Sequence, residues 1–396
     1  MADYIPFINS KTDAEFVTNL YSDGAVNRVT LFNLKTWDEE DTLDLLLPKP
    51  RRLWIDCAVD ALHYWPNSIT DEYRDYFLEV GDASGLFSSG SIFQAAESRI
   101  QAFTESVLNE AIAFKPKWLS VPQLPLKQDT SVHKINKRFA QAAGNWYKET
   151  KRAFSMVLPV IISHQDIANK KTERNSRIKL IKQCVESSSA HIVWIVDSSL
   201  ADQTASGTFA DKRFPGILAF HKEVAAILPS TTRIVSGPYW GMNLILWVRR
   251  LANFPAIGLG SSYQYHIPGS GIRGPKKRVA LKVLRRWVRH DDLRDWLIQN
   301  ISSIEGEDRV SLQQLLDNFD GYDRDSARQQ VANFYYKWIK ELEQINVSQR
   351  MGYLYKQFSN AYVTGTQLTP FSNIENQARQ PQIVAEQFMR QCLRPL

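Results

Sequence analysis

The sequence contains little cysteine and no long apolar segment. Its three cysteines, Cys57, Cys184 and Cys392, are far apart, and none belongs to a Cys-x-x-Cys pair. This spacing excludes a disulfide framework and a cysteine-type zinc site, and it favours a reducing compartment. No apolar run reaches the roughly 18 residues that a membrane helix needs. The amino-terminal segment is neither basic nor followed by an apolar core, so we expect no signal peptide, no membrane contact and a cytoplasmic location.

Several motifs of cofactor binding and catalysis are also absent. The first predicted strand is not followed by Gly-x-Gly-x-x-Gly, and no Gly-x-x-x-x-Gly-Lys-Ser/Thr occurs, so neither dinucleotide nor P-loop chemistry is supported. The chain has no His-x-His, no His-Glu-x-x-His and no Gly-x-Ser-x-Gly. Metal-dependent and serine hydrolases are therefore disfavoured, and we predict no metal site and no cofactor.

The composition is that of a globular protein. The chain has 396 residues, of which 44% are hydrophobic, enough to bury a full core in one large barrel with an accessory part. The formal net charge is +6 and the isoelectric point is near 9.0. Such a mild excess has meaning only where it is concentrated in one segment.

The pattern of apolar segments predicts a parallel α/β fold. Seven short runs, β-branched or aromatic, are typical of strands covered on both faces, and amphipathic stretches separate most of them. The predicted strands cover residues 28–33, 52–59, 117–122, 155–163, 190–198, 231–237 and 255–261. This alternation favours a (β/α)8 TIM-type barrel with one strand not located, and a doubly wound open sheet is the alternative. We assign residues 1–272 to the barrel and residues 273–396 to a basic helix with a helical carboxyl-terminal extension.

The positive charge is concentrated just after the last predicted strand. Eight cationic side chains and no acid lie between residues 273 and 289. Four of them share one face of a predicted helix at spacing i, i+3, i+4 and i+7, namely Lys282, Arg285, Arg286 and Arg289. The pattern predicts contacts with nucleic-acid phosphates, and an ordinary solvated face is the alternative.

Two carboxylates lie at the carboxyl ends of predicted strands, where barrel enzymes have their active sites. Asp56 lies in the carboxyl-terminal half of the second predicted strand, and Asp197 is the last residue but one of the fifth. A buried carboxylate must be paired or hydrogen-bonded, so both are candidate catalytic residues. Alternatively, each could cap the following turn or helix.

The same strand ends carry amides, aromatic rings and glycines. His164 and Gln165 follow the fourth predicted strand, and they could serve as acid/base and as amide contact to a base, although a lone histidine can also be structural. Rings beside exposed glycine backbone suit a planar heterocycle, but they also pack cores. The candidate base-binding residues at the last two strand ends are Gly237, Tyr239, Gly260 and Tyr263.

From Arg52 to His266 the order of these strand ends resembles the tRNA-guanine transglycosylase superfamily, including its relatives that insert 7-deazaguanine bases into DNA. The segment Ile55–Ala58 keeps the aspartate that contacts the nucleobase in the family, here Asp56. The resemblance gives Gln123 the place near a second base-contacting acid and Gln165 that of the base-binding amide. It implies a guanine or 7-deazaguanine ligand and a nucleic-acid substrate, with DNA favoured over tRNA.

The sequence lacks two features of the family, its aspartate nucleophile and its zinc-binding cysteines. The strand that carries the aspartate nucleophile in the family is here Ile257–Gly260, without a carboxylate, and the zinc-binding cysteine cluster is absent. Covalent base exchange needs a carboxylate at the anomeric carbon, which leaves Asp197 as the candidate.

Two hypotheses for the function follow. One is a transglycosylase-like enzyme of DNA modification linked to antiphage defence. The other is a non-catalytic relative that holds a base, a nucleic acid or a base-modified protein for partner proteins of the same system. Dimerisation of the chain stays open.

Overall fold

A closed barrel of eight parallel strands forms the centre of the molecule. The computed structural model describes residues 5–20, 26–37, 52–65, 67, 69–81, 84–126, 130–150, 153–162, 171–197, 207–239, 241–258, 277–372 and 379–395. The strands are β1 (Ile5–Phe7), β2 (Asn27–Thr30), β3 (Leu53–Asp56), β4 (Trp118–Ser120), β5 (Ser155–Ile162), β6 (Ile192–Asp197), β7 (Arg233–Ser236) and β8 (Phe254–Gly258). The predicted (β/α)8 TIM-type barrel is confirmed.

Strand β1 is the strand that the sequence did not locate. It closes the barrel by pairing with β2 on one side and with β8 on the other, so that Phe7 lies opposite both Arg28 and Gly258. Three residues are too few to show a strand period. The next predicted strand, residues 28–33, was too long, because Thr30 ends β2 and its Oγ1 accepts a hydrogen bond from Asn33 N (3.0 Å) to cap a helix.

Helices alternate with the strands and cover the barrel. They are α1 (Lys11–Leu20), α2 (Leu31–Thr36), α3 (Asp71–Gly81), α4 (Glu97–Ala113), α5 (Thr130–Thr150), α6 (Lys171–Ser188), α7 (Gly207–Ile227) and α8 (Gly241–Val248). Helix α5 shows why these segments are helical, since Val132, Ile135, Phe139 and Ala143 recur at the helical spacing and are all buried. None of the described helices is both long enough and apolar enough to cross a membrane.

Aromatic side chains fill the barrel interior. The rings of Phe7, Trp54 and Trp194 meet edge to face, with centroids 5.2–5.9 Å apart. Trp118 and Phe254, the first residues of their strands, pack 5.3 Å apart nearer the amino-terminal ends. The described part of the barrel interior is therefore a packed core, and ligands of such barrels bind at the carboxyl ends of the strands.

The basic segment forms a β-hairpin, so the predicted basic helix is wrong. Strands β9 (Arg278–Leu281) and β10 (Arg286–Arg289) pair antiparallel around a short turn, in which Arg285 has φ 49°. Side chains alternate between the two faces of a strand, so Arg286 and Arg289 lie on opposite faces. The four cations have the spacing of one helix face in the sequence, but on a β-hairpin this spacing does not place them on one face.

Helices follow the hairpin, as predicted, and both faces of the hairpin pack against apolar cores. The helices are α9 (Arg294–Asn300), α10 (Gly306–Asp317), α11 (Arg324–Gln344), α12 (Arg350–Thr366) and α13 (Ile383–Leu393). Trp287 joins the barrel core together with Trp338 of α11, whereas Val288 belongs to a second apolar cluster with Trp296. The predicted domain boundary, between residues 272 and 273, lies outside the described residues and stays a prediction.

Candidate binding site at the barrel mouth

Four of the predicted site residues cannot be located, because they lie outside the described residues. These are His164, Gln165, Gly260 and Tyr263. Their roles stay predictions. The described part of the mouth contains the other predicted residues of the strand ends, which are Asp56, Gln123, Asp197, Gly237 and Tyr239.

Asp56, the last residue of β3, forms a buried ion pair with Arg28 of β2. Arg28 donates from one Nη to Asp56 Oδ2, and the Arg28 side chain is fully buried. The other carboxylate oxygen accepts a longer bond, 3.3 Å, from Ala58 N. Arg28 lies in register with Trp54, two residues before Asp56. The parallel register therefore brings the guanidinium and the carboxylate of neighbouring strands together.

The guanidinium of Arg28 lies on the aromatic layer of the barrel. Its Cζ is 4.4 Å from the ring centroid of Phe7, 4.9 Å from that of Trp194 and 5.9 Å from that of Trp54. Cation–π attraction of this kind is stronger where water is excluded. Arg28 lies in register with Phe7 and Trp54, so its backbone is level with these rings, and its guanidinium reaches Asp56 at the carboxyl end of β3.

Asp60 and Tyr73 belong to the same electrostatic environment. Asp60 lies in the short helical turn after β3 and is buried. Burial raises the pKa of the Tyr73 hydroxyl, the charges of Asp60 and Asp56 raise it further, and Arg28 opposes the rise. Tyr73 therefore remains protonated and can donate a hydrogen bond. Its ring stacks on Phe32 at 4.3 Å, which fixes its orientation.

Asp197, the second predicted catalytic carboxylate, belongs to the outer face of the barrel wall. Trp194 of the same strand packs against rings inside the barrel, so alternation directs Val196 inward and Asp197 toward the helices. Asp197 N donates to Tyr239 Oη (2.8 Å), and that hydroxyl donates to the Ile195 carbonyl (2.9 Å). This arrangement weighs against the predicted role of Asp197 as a nucleophile at the mouth.

Gly237 and Tyr239 have structural roles in the described part of the mouth. The Gly237 carbonyl accepts a hydrogen bond from Trp194 Nε1 (2.8 Å). Its φ of +88° favours glycine, and a Cβ there would lie 2.3 Å from the side-chain oxygen of Asn243. Tyr239 is 1% exposed and its hydroxyl is already hydrogen-bonded. Base contact by these two residues stays a prediction.

Gln123, which follows β4, is buried and joins two segments of backbone. Its amide nitrogen donates to the Pro122 carbonyl (2.7 Å) and to the Asn136 carbonyl (3.1 Å). Asn136 of α5 in turn bonds both backbone groups of Leu124. The amide of Gln123 therefore holds this strand end against α5.

The four predicted phosphate-binding residues do not form one surface. Lys282 is exposed, whereas Arg286 is 1% exposed, donates to the Gln380 carbonyl (3.1 Å) and lies 5.1 Å from the Phe371 ring. Arg285 lies over Trp338, and Arg289 is half-buried on the opposite face of the hairpin from Arg286. The predicted continuous cationic face is therefore wrong, and phosphate contacts by individual side chains stay predictions.

Arg28 is the residue that the sequence analysis missed. The signal was a cation at the first position of the predicted strand 28–33, a segment expected to be buried. A buried cation needs an acidic partner, and Asp56 was the acid at the end of the next predicted strand. Within the described ranges, no group of three or more His, Cys, Asp or Glu side chains could hold a metal ion.

Comparison with known proteins adds no family to this geometry. No protein-family model matches the chain, and no curated protein is significantly similar to it. The resemblance to the transglycosylase superfamily therefore rests on the strand-end residues alone.

Proposed function

We propose that the mouth of the barrel binds a planar purine-type base, guanine or a 7-deazaguanine, and that the protein holds this base rather than exchanging it. The observation that carries the proposal is the Arg28–Asp56 ion pair beside the aromatic rings of the barrel, with its carboxylate at the end of β3. A carboxylate has about four acceptor positions, of which Arg28 and Ala58 N use one each. Its remaining positions suit the N–H groups of a guanine edge.

The guanidinium complements the carboxylate. Arginine pairs well with the O6 and N7 acceptors of guanine, whereas a carboxylate accepts from N–H donors. Asp56 therefore offers acceptors to one planar edge, beside the Arg28 guanidinium and the protonated hydroxyl of Tyr73. A base whose edge presents only acceptors would leave the carboxylate unsatisfied.

Binding without exchange is favoured by the carboxylates. Exchange through a covalent intermediate requires a carboxylate free to attack the anomeric carbon. Asp56 is held in the ion pair, and Asp197 belongs to the outer face of the barrel wall. The wider context of DNA modification, antiphage defence and partner proteins, with DNA favoured over tRNA, is part of the proposal. Its support is limited to the cationic excess of the sequence between residues 273 and 289, of which the side chain of Lys282 is exposed.

Calorimetry with guanine and 7-deazaguanine tests the binding proposal. Asp56→Asn should weaken binding by on the order of 2 kcal/mol, roughly thirty-fold in Kd, because a charge-assisted hydrogen bond to a buried base is lost. Glu186→Gln is the control, since Glu186 lies in the last turn of α6, at the end of the barrel opposite the mouth. Equal affinities of wild type and Asp56→Asn, or no binding of either base, would contradict the proposal.

A trapping experiment separates holding from exchange. The protein is incubated with labelled guanine and either duplex DNA or tRNA, and then denatured. We expect no covalent adduct with nucleic acid and no incorporated label. An adduct that disappears in a folded Asp197→Asn variant would identify Asp197 as a nucleophile and replace the holding function by base exchange.

A further inference from the structure

A cavity lies outside the barrel, between the β9–β10 hairpin and helices α10 and α11. Its volume is about 320 Å³, which is small among ligand sites, whose volumes run from roughly 300 to 1,000 Å³. None of the residues that line it belongs to the Arg28–Asp56 site. The cavity is therefore distinct from the site proposed at the barrel mouth.

One wall of the cavity carries Arg285 on an aromatic platform. The guanidinium carbon is 4.6 Å from the ring centroid of Trp338 and 5.7 Å from that of Phe334. Stacking fixes the plane of the guanidinium and leaves its edge N–H groups to act as donors. Among the residues that the structure describes, no acidic side chain comes within ion-pair distance of Arg285.

Three acidic side chains also line the cavity. Glu307 and Asp308 lie in the first turn of α10, and Glu341 lies on α11, where it accepts a hydrogen bond from Gln357 Nε2 (3.1 Å). Burial lowers the pKa of Arg285. The negative charges of Glu341 and Asp308 raise it, because both acids lie close enough to favour the charged guanidinium.

The charges of the lining balance. Three cations, Lys282, Arg285 and Lys337, oppose the three acids within one small cavity. A simple anion would gain from Arg285 and be repelled by the acids, and a simple cation would meet the reverse. A ligand that carries both charges can pair with both the cations and the acids of the lining. Leu312, Phe334 and Trp338 add apolar surface between them.

We propose that this cavity binds a small zwitterion of the α-amino acid class with an apolar side chain. Its carboxylate pairs with the edge of Arg285, assisted by Lys282, and its ammonium group lies against Asp308 and Glu307. The apolar side chain packs on Phe334 and Leu312. The rings of Trp338 and Phe334 hold the Arg285 guanidinium in one orientation. A planar guanidinium can donate two parallel hydrogen bonds to the two oxygens of a carboxylate.

Titration calorimetry with defined probes tests the proposal. The probes are leucine and phenylalanine, their methyl esters, which lack the carboxylate, and their N-acetyl forms, which lack the ammonium group. We expect the free amino acids to bind and each blocked form to bind at least tenfold more weakly. Arg285→Gln and Asp308→Asn should each lower the affinity at least tenfold. Arg289→Gln, on the same hairpin but not in the lining, should leave it unchanged.

Each other outcome overturns the proposal. Inorganic phosphate that binds through Arg285 better than the amino acids would make the cavity an anion site, and spermidine that binds through Asp308 would make it a cation site. If no probe binds, or if methyl esters bind as well as free amino acids, the zwitterion is excluded. Should Arg285→Gln fail to fold by circular dichroism, the exposed Lys282→Gln replaces it, with a threefold or greater loss expected.

Discussion

The Arg28–Asp56 pair allows a quantitative test, because it is a charge pair enclosed by the barrel. Arg28 is fully buried and Asp56 is 3% exposed. Around the guanidinium lie the rings of Phe7 and Trp194, at 4.4 and 4.9 Å. Removal of either partner leaves the other charge in surroundings that cannot solvate it. The perturbation is a double-mutant cycle of Arg28→Met, Asp56→Ala and the combined variant.

The expected magnitudes follow from this burial. Breaking a buried ion pair by removing one partner costs about 3–5 kcal/mol, chiefly because of the uncompensated charge that remains. The combined variant has no such charge, and methionine fills much of the arginine volume. Its loss should therefore be smaller than the sum of the single losses by about 3 kcal/mol.

Urea unfolding, followed by tryptophan fluorescence and by circular dichroism, measures the cycle. The rings of Trp54 and Trp194 lie beside Arg28 and report on this part of the barrel. Arg74→Ala is the control, because Arg74 pairs with Asp71 at 3.1 Å on an exposed face of α3 and should cost at most about 1 kcal/mol. Single variants that cost less than about 1 kcal/mol, or strict additivity in the combined variant, would refute the reasoning.

Two further predictions concern the outer layer. Burial lowers the pKa of His221 from 6.5 to about 4, so its contribution to stability is complete above pH 6.5 and is lost as the pH falls to 4. That loss amounts to about 3 kcal/mol in urea unfolding, and it should be absent in His221→Gln. Gly144→Ala would bring a Cβ to 1.8 Å from the Ser187 carbonyl oxygen and should cost about 1–3 kcal/mol or more in the same assay. Gly352→Ala, whose Cβ meets nothing within 4 Å, should be neutral or stabilising, and equal effects of the two alanines would contradict the packing argument.

The barrel was predictable because its strands are buried on both faces. Runs such as Ile192–Val196 are continuously apolar and flanked by helical patterns, which is the arrangement that a parallel sheet requires. Asp56 and Asp197 were correctly expected at strand ends. The direction of Asp197 was not predictable from its position, because the face of a strand-end residue depends on which neighbours point into the barrel. Here the Trp194 ring points into the barrel, so Asp197, three residues later in the same strand, faces outward.

The hairpin was not predictable from charge spacing. A set of cations at i, i+3, i+4 and i+7 has helical meaning only if the backbone is helical, and Arg285 adopts a left-handed conformation that ends any such helix. The competing signal was the consecutive apolar residues in Arg278–Leu281 and Arg286–Arg289, because strands covered on both faces are near-continuously apolar. Trp287 packs in the barrel core and the adjacent Val288 in the second cluster.

The fold alone gives no reason for an ion pair inside the barrel. Apolar residues of similar volume are often neutral or stabilising in place of a buried pair, so Arg28 and Asp56 are costly unless they do something that leucine could not. Binding a polar edge at the mouth is such a task, and departures from apolar packing are expected at functional sites. The combined Arg28→Met/Asp56→Ala variant is therefore expected to fold and to lose guanine binding in calorimetry. If this variant folds and binds guanine as the wild type does, the pair is structural and the base site lies elsewhere on the barrel.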